Sequence, residues 1–498
     1  MSPNAPTTGP QVEITVRDAL RNPRLLTREA LAGIVTTLAL VPEVISFSLI
    51  AGVDPIVSLI ASVVLAISMS LLGGRPAMVT AAAGSVALVV APLTRDHGVD
   101  YVLPAVILAG LIQIGFGAAG LARLMRFIPR SVMIGFVNAL GILIFVAQVP
   151  HLLGVPWLVY PLFALTVAII LILPRFSTAV PAPLVAIVVV TAIVMIAHLT
   201  VPDVADEGPL TGRLPGLTPF LAPLDLETLR IVGPTALSIA FVGLMETLLT
   251  AKLVDDLTDT RSQKSRESWA LGVANILAGC YGGMAGCAMI GQTIVNVKIG
   301  RARTRLSTLV AGLFLLAVVT ALSGLMGQIP MVALAAVMMI VAVTTVNWHS
   351  VTPSTLRRMP VPETLVMVVT VVLTVATGNL AIGVAGGVLL AMVLFARRVA
   401  HVLTVDRIQA DDEGVDYAVR GPLFFGSSND LVERFSYARD PAHVVVDLTE
   451  AQIWDASTVA AMDSIETKFA EHGTQVTFVG LDERSTRFHR RLSGQLQG

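Results

Sequence analysis

Two glutamates stand where an acid is expensive to keep. Glu43 lies in the apolar run LALVPEVISFSLIAG and Glu246 in AFVGLMETLLTAK. A carboxylate in hydrocarbon faces a polar cavity, finds a partner, or takes up a proton. An acid that alternates between charged and protonated forms can couple proton movement to that of another solute, and Glu246 equally suits a sodium ligand. The plainer role for either is a tie between helices, its carboxyl bonded to a neighbouring helix end. Downstream of each glutamate comes a short stretch of small residues, TAAAGSVALVV (80–90) and AMIGQTIVNV (288–297). The separation is 41 residues from Glu43 to Gly84 and 45 from Glu246 to Gly291.

Short Gly/Ser/Ala helices that begin near mid-membrane leave backbone N–H groups unpaired in their first turn. With the helix dipole, these form an anion site that needs no Lys or Arg. Gly84, Ser85 and Val86 on one side, and Gly291, Gln292 and Thr293 on the other, are predicted to be those two ends, facing each other. Small residues also serve close helix packing. The matched positions of the two stretches favour the site.

Such ends need spans to carry them. Apolar residues make up 55% of the 498, charged residues 13%, and mean hydropathy is +0.80. A globular domain carries about 25% charged residues; here they cluster in short connectors from Leu31 to Phe395 and reach ordinary density only beyond Arg397. Runs long enough for spans or half-spans are 31–51, 56–72, 80–93, 102–121, 132–149, 158–173 and 182–200. After a polar, Pro-rich loop come 231–251, 269–284, 288–299, 306–326, 331–346, 363–377 and 380–396. The expectation is an all-α polytopic membrane domain of fourteen segments. The two glutamates fall in the first and eighth spans, and the small-residue stretches in the third and tenth. Seven is odd, so two halves of seven run in opposite directions, the pattern of an inverted-repeat transporter with half-helices in spans 3 and 10.

Lysine and arginine placement sets the orientation. With the N-terminus inside, inner connectors hold fifteen, from Arg75, Arg123, Arg126, Arg130 and Arg175 through the 252–266 and 298–305 groups to Arg357 and Arg358. Outer connectors hold three: Arg95, Arg213 and Arg230. The chain is expected in the inner (plasma) membrane with both termini cytoplasmic. Trp157, Trp269 and Trp348 fall near the interfaces, as membrane anchors do.

Other features narrow the class by exclusion. Net charge is -1 with no basic tract, which argues against nucleic acid. The two cysteines, Cys280 and Cys287, have neither zinc nor disulfide spacing and read as small packing residues. Residues 1–16 are polar and Pro-rich without an apolar core, hence disordered rather than a cleavable signal. No Walker loop, HExxH, nucleophile elbow or metal cluster is present, so neither an enzyme nor a cofactor is expected. The coupling ion is a proton or sodium.

Four stretches together resemble the sulfate permease (SulP) family, the bacterial relatives of solute carrier family 26. They are REALAGIVTTLALVPEVISFSLIAGVDP (28–55), METLLTAKLVDD (245–256), NILAGCYGGMAGCAMIGQTIVNVKIGRARTRLS (275–307) and the tail. The resemblance implies a seven-plus-seven fold and a homodimer. It also implies a core of spans 1–4 and 8–11 moving against a gate of spans 5–7 and 12–14. Its substrate site lies between spans 3 and 10, with spans 1 and 8 contributing, which carries over to Glu43, Ser85, Glu246, Gln292 and Thr293.

Two departures matter. The first-span Gln of the family is Glu43 here, and the Arg often found at the start of span 10 is Gln292. Two acids and no local base favour proton–anion symport, with protonation preceding entry of a carboxylate or dicarboxylate, bicarbonate or sulfate. A passive channel or exchanger, a nucleobase permease on the same fold, and a membrane sensor with the tail as output are the alternatives.

From residue 398 to 490 a small cytoplasmic α/β domain is expected. AHVVVDLTE (442–450) and TQVTFVGL (474–481) are strands and STVAAMDSIETKFAEHG (457–473) an amphipathic helix, which implies a parallel pair. The order resembles a STAS domain, through which cytoplasmic regulators could act. In that resemblance Ser457 matches a phosphorylatable serine; its simpler reading is a helix N-cap.

Overall fold

The computed structural model describes residues 15–120, 128–176, 181–207, 216–218, 223, 225–400, 402–410 and 414–494. Residues 1–14, most of the expected disordered N-terminus, and Arg123, Arg126 and Arg213 lie outside them. The chain divides into two compact units, Met1–Gly387 and Val388–Gly498.

In the first half of the membrane region the helices are α1 (Pro23–Ala51), α2 (Pro55–Leu72), α3 (Gly84–His97), α4 (Val102–Ala118), α5 (Arg130–Gln148), α6 (Val159–Ile172) and α7 (Ala182–Ile196). The second half repeats them as α8 (Leu226–Thr258), α9 (Lys264–Cys280), α10 (Ile290–Ile294), α11 (Arg305–Gly327), α12 (Met331–Thr345), α13 (Val361–Thr377) and α14 (Leu380–Ala400). A π-turn, Val295–Ile299, continues α10. Among the described residues seven helices are long and apolar enough to cross a membrane.

Local sequence sets the boundaries. Asn22 caps α1 by accepting from the Arg24 N–H at 3.1 Å, with Pro23 in the first turn, and Gly52 ends the helix at φ 67°. Asp54 and Pro55 start α2 in the same way. The α9 helix begins at Lys264, earlier than hydropathy implies. That start places Trp269 a turn inside the helix, half-buried and packed against the cluster that holds Leu65, Met69 and Leu271. Trp157 and Trp348 are exposed.

Close packing of α4 on α9 rests on glycine. A Cβ on Gly110 would stand 2.6 Å from the carbonyl oxygen of Gly272, so only small residues let these backbones meet.

Spans 3 and 10 contain more than helix. Short strands β1 (Thr80–Ala82) and β2 (Gly286–Ala288) precede α3 and α10 and pair antiparallel, Ala81 opposite Cys287. Extended backbone at membrane depth must have its polar groups satisfied. Beyond the strand pairing, buried side chains do this. Ser62 accepts from the Ala82 N–H at 3.1 Å and Thr293 from the Val79 N–H at 3.0 Å. Thr247 accepts from the Ala288 N–H at 3.0 Å. Asn275 both accepts from the Gly286 N–H at 2.8 Å and donates to its carbonyl at 3.2 Å.

The second unit carries β3 (Thr404–Ala410), β4 (Gly414–Leu423), α15 (Ser428–Glu433), β5 (His443–Ile453), α16 (Ala456–Glu471), β6 (Gln475–Val479) and α17 (Glu483–Leu492). Strand order is β3-β4-β5-β6, with β3 antiparallel to β4 and the other two pairs parallel. Val444, Val446, Leu448, Met462 and Phe469 fill its core. The expected strand–helix–strand and its parallel pair are present.

The helix cap is elsewhere than expected. Asp455 caps α16, accepting from the Thr458 N–H at 3.2 Å, while Ser457 is exposed in the first turn. The Trp454 N–H donates to the Leu423 carbonyl at 2.9 Å, which holds the chain extended up to Asp455 and makes that residue the boundary.

Candidate functional site

The paired strands β1 and β2 lead directly into α3 and α10. Neither helix has a side-chain cap, and Ala83 and Met289 precede them in extended conformation. Their first N–H groups therefore lack the side-chain acceptor that a cap supplies.

The two ends differ in access. A Cβ on Gly84 would lie 2.5 Å from the Phe47 ring of α1, and Ser85 and Val86 are buried. A Cβ on Gly291 would meet nothing within 4 Å, and Gly291 is exposed between the buried side chains that follow it, Gln292 and Thr293. The α3 end is thus packed and the α10 end open.

The glutamates also differ. Glu246 is buried, and its Oε2 accepts from the Ser85 hydroxyl and from the Cys287 thiol, the latter at 3.1 Å. Ser85 and Cys287 are themselves 3.6 Å apart, so α3, α8 and β2 meet in one closed polar cluster. Thr250 adds to it, donating to the Glu246 carbonyl at 2.8 Å. Glu43 is half-buried on α1, one residue beyond Pro42, with the Gln292 side chain beside its carboxyl. Thr293 is committed to the strand. Of the expected site residues, Gly291 is exposed and Glu43 half-buried, whereas Ser85, Glu246, Gln292 and Thr293 are buried.

Phe47, Asn275 and the bonding role of Cys287 escape a reading of the sequence. Asn275 had a signal: a neutral amide in an otherwise apolar span, where an unsatisfied side chain is costly. Its amide also donates to Gln113 at 2.8 Å.

Short helices entered from paired strands, each carried by one of two seven-span halves, define a membrane transporter of the inverted-repeat class. The model of the sulfate permease family matches residues 26–161 and 157–370, and that of the STAS domain matches 405–493. The chain belongs to the sulfate permease family. It is similar to YbaR of Bacillus subtilis (strain 168), provisionally named a sulfate transporter, at 48% identity over 94% of this chain and 97% of that one. The transmembrane domain of a cyanobacterial bicarbonate transporter, BicA, superposes with TM-score 0.64 at 25% identity, covering 72% of this chain and 97% of that chain. The murine Solute Carrier 26 family member A9 anion transporter, in its inward-facing state, shares the fold with TM-score 0.79 at 17% identity, over 94% of this chain and 87% of that one.

Proposed function

We propose that the chain is a secondary active transporter that carries a small anion by proton-coupled symport and alternating access. The cargo class is a carboxylate or dicarboxylate, bicarbonate or sulfate. The observation that carries this reading is the open α10 end, where Gly291, Gln292 and Glu43 converge. Backbone N–H groups at a helix start attract an anion, and the dipole adds to them. A charged Glu43 beside that end repels the same anion, so a proton on Glu43 must precede or accompany entry. Glu43 is the coupling residue in this account. Glu246, tied by Ser85 and Cys287, positions the α3 end rather than exchanging protons. Sodium coupling through Glu246 would require that cluster to open.

Movement takes place between a core of α1–α4 and α8–α11 and a gate of α5–α7 and α12–α14, in a homodimer in the plasma membrane with both termini cytoplasmic. The STAS domain is the contact point for cytoplasmic regulators. Ser457, exposed in the first turn of α16, is its phosphorylation site, since a phosphate there gains from the helix dipole. The test of the coupling claim is Glu43→Gln in proteoliposomes. Anion uptake is expected to persist while losing its dependence on an inward proton gradient; an unchanged dependence contradicts the assignment.

A further inference from the structure

A groove of about 640 Å³ runs between the start of α1 and the π-turn that ends α10. Its lining is segregated. Arg24, Thr27 and Arg28 lie in the first turns of α1; Leu31 and Val35 follow one and two turns deeper, with Ile299 across the groove. The Arg28 Nε and Nη2 atoms are buried and have no hydrogen-bond partner among the described residues. Glu29, its ion-pair partner at 3.9 Å, is already occupied: it accepts from the N–H groups of Arg303 at 2.8 Å and Thr304 at 3.2 Å and from the Thr304 hydroxyl at 2.9 Å. A second cation, Arg303, stands near enough to repel Arg28. Positive charge here is in excess, and the Arg28 Nε and Nη2 donors find no acceptor among the described residues.

We propose that this groove binds an anionic phospholipid, its phosphate held by Arg24 and Arg28 and one acyl chain laid over Leu31, Val35 and Ile299. The guanidinium fork matches phosphate oxygens two at a time, and basic pockets between helix ends attract anionic head groups. A free oxyanion matches the charge but not the rest. A water occupies about 30 Å³, so an ion of a few atoms would leave most of the groove unfilled and gain nothing from its apolar wall. Only an amphiphile uses both halves.

The test uses the full chain purified in detergent and exposed to equimolar phosphatidylglycerol and phosphatidylcholine, with bound lipid counted by native mass spectrometry. Wild type is expected to retain phosphatidylglycerol preferentially. At about 1 kcal/mol per arginine near a membrane surface, retention should fall about fivefold in Arg28→Gln and about thirtyfold in the Arg24→Gln, Arg28→Gln double variant. Leu31→Trp fills the groove without touching its charge, so it too is expected to lose the lipid, and it decides the matter alone if the double variant fails to fold. Equal retention of the two lipids, or retention unchanged by Leu31→Trp, overturns the proposal. So does displacement of the lipid by sulfate but not by chloride at matched ionic strength, which would assign the groove to a free oxyanion.

Discussion

The two half-helix starts make opposite demands on glycine, and a matched pair of substitutions separates them. In Gly84→Ala the new methyl would stand 2.5, 2.9 and 3.0 Å from three carbons of the Phe47 ring. Carbon atoms settle at roughly 3.5–4.0 Å, so either the ring or the start of α3 must retreat by roughly 1 Å. Phe47 is buried and has little room to yield. Overpacking of this kind costs about 1–3 kcal/mol, and displacing α3 also disturbs the hydroxyl that Ser85 gives to Glu246. In Gly291→Ala the methyl meets nothing within 4 Å, so stability should change by no more than about 0.5 kcal/mol.

The assay is a thermal melt of each purified variant together with anion uptake in proteoliposomes. Gly84→Ala is expected to melt lower and transport poorly. Gly291→Ala should melt like wild type but bind the anion differently, because its methyl enters the open end. Phe47→Leu in the Gly84→Ala background should restore much of the loss, with a coupling of about 0.5–3 kcal/mol. Equal melting of the two alanine variants, or no rescue by Phe47→Leu, would refute the packed-versus-open distinction.

Three further outcomes are expected. Glu246→Leu leaves the Ser85 hydroxyl and the Cys287 thiol only their 3.6 Å contact with each other in a buried cluster and should lower stability by about 1–3 kcal/mol, read by thermal melt. Asn275→Leu removes both side-chain bonds to Gly286 and should cost as much again per unsatisfied backbone group; the strand amides should then exchange hydrogen faster. In the STAS domain, burial pushes the Tyr437 phenol up to about 12. A raised folded value gives stability that is complete below the unfolded value of about 10 and is lost as pH rises through the folded one. Alkaline titration should therefore destabilise this domain between those limits, and Tyr437→Phe should remove that component of the pH dependence.

Much of the fold is legible in the amino-acid sequence. Hydropathy locates the long spans because each leaves an extended apolar run, and Asn22, Pro23 and Gly52 mark helix ends by local chemistry alone. The small-residue stretches at Gly84 and Gly291 reveal the half-helices through their matched places. The strands β1 and β2 stay hidden because three residues of Ala, Gly, Cys and Thr carry no periodicity, and Ala81 finds Cys287 only through tertiary pairing. The difference between the glutamates is hidden for a related reason: both sit in similar apolar runs, but only Glu246 meets the donors of α3 and β2. At α16, WDAST offers two capping side chains. The choice of Asp455 over Ser457 depends on the bond from Trp454 to Leu423, which the sequence of the helix does not contain.

The central claim is that a proton gradient drives an anion through this protein. Purified full-length chain in sealed proteoliposomes, given labelled sulfate, bicarbonate or a dicarboxylate, tests it most directly. With an inward proton gradient at least one of these is expected to accumulate above its external concentration, and collapsing the gradient with a protonophore should return it to equilibrium. Uptake that only equilibrates, at the same rate with or without the gradient, would contradict coupled transport and indicate a passive pathway.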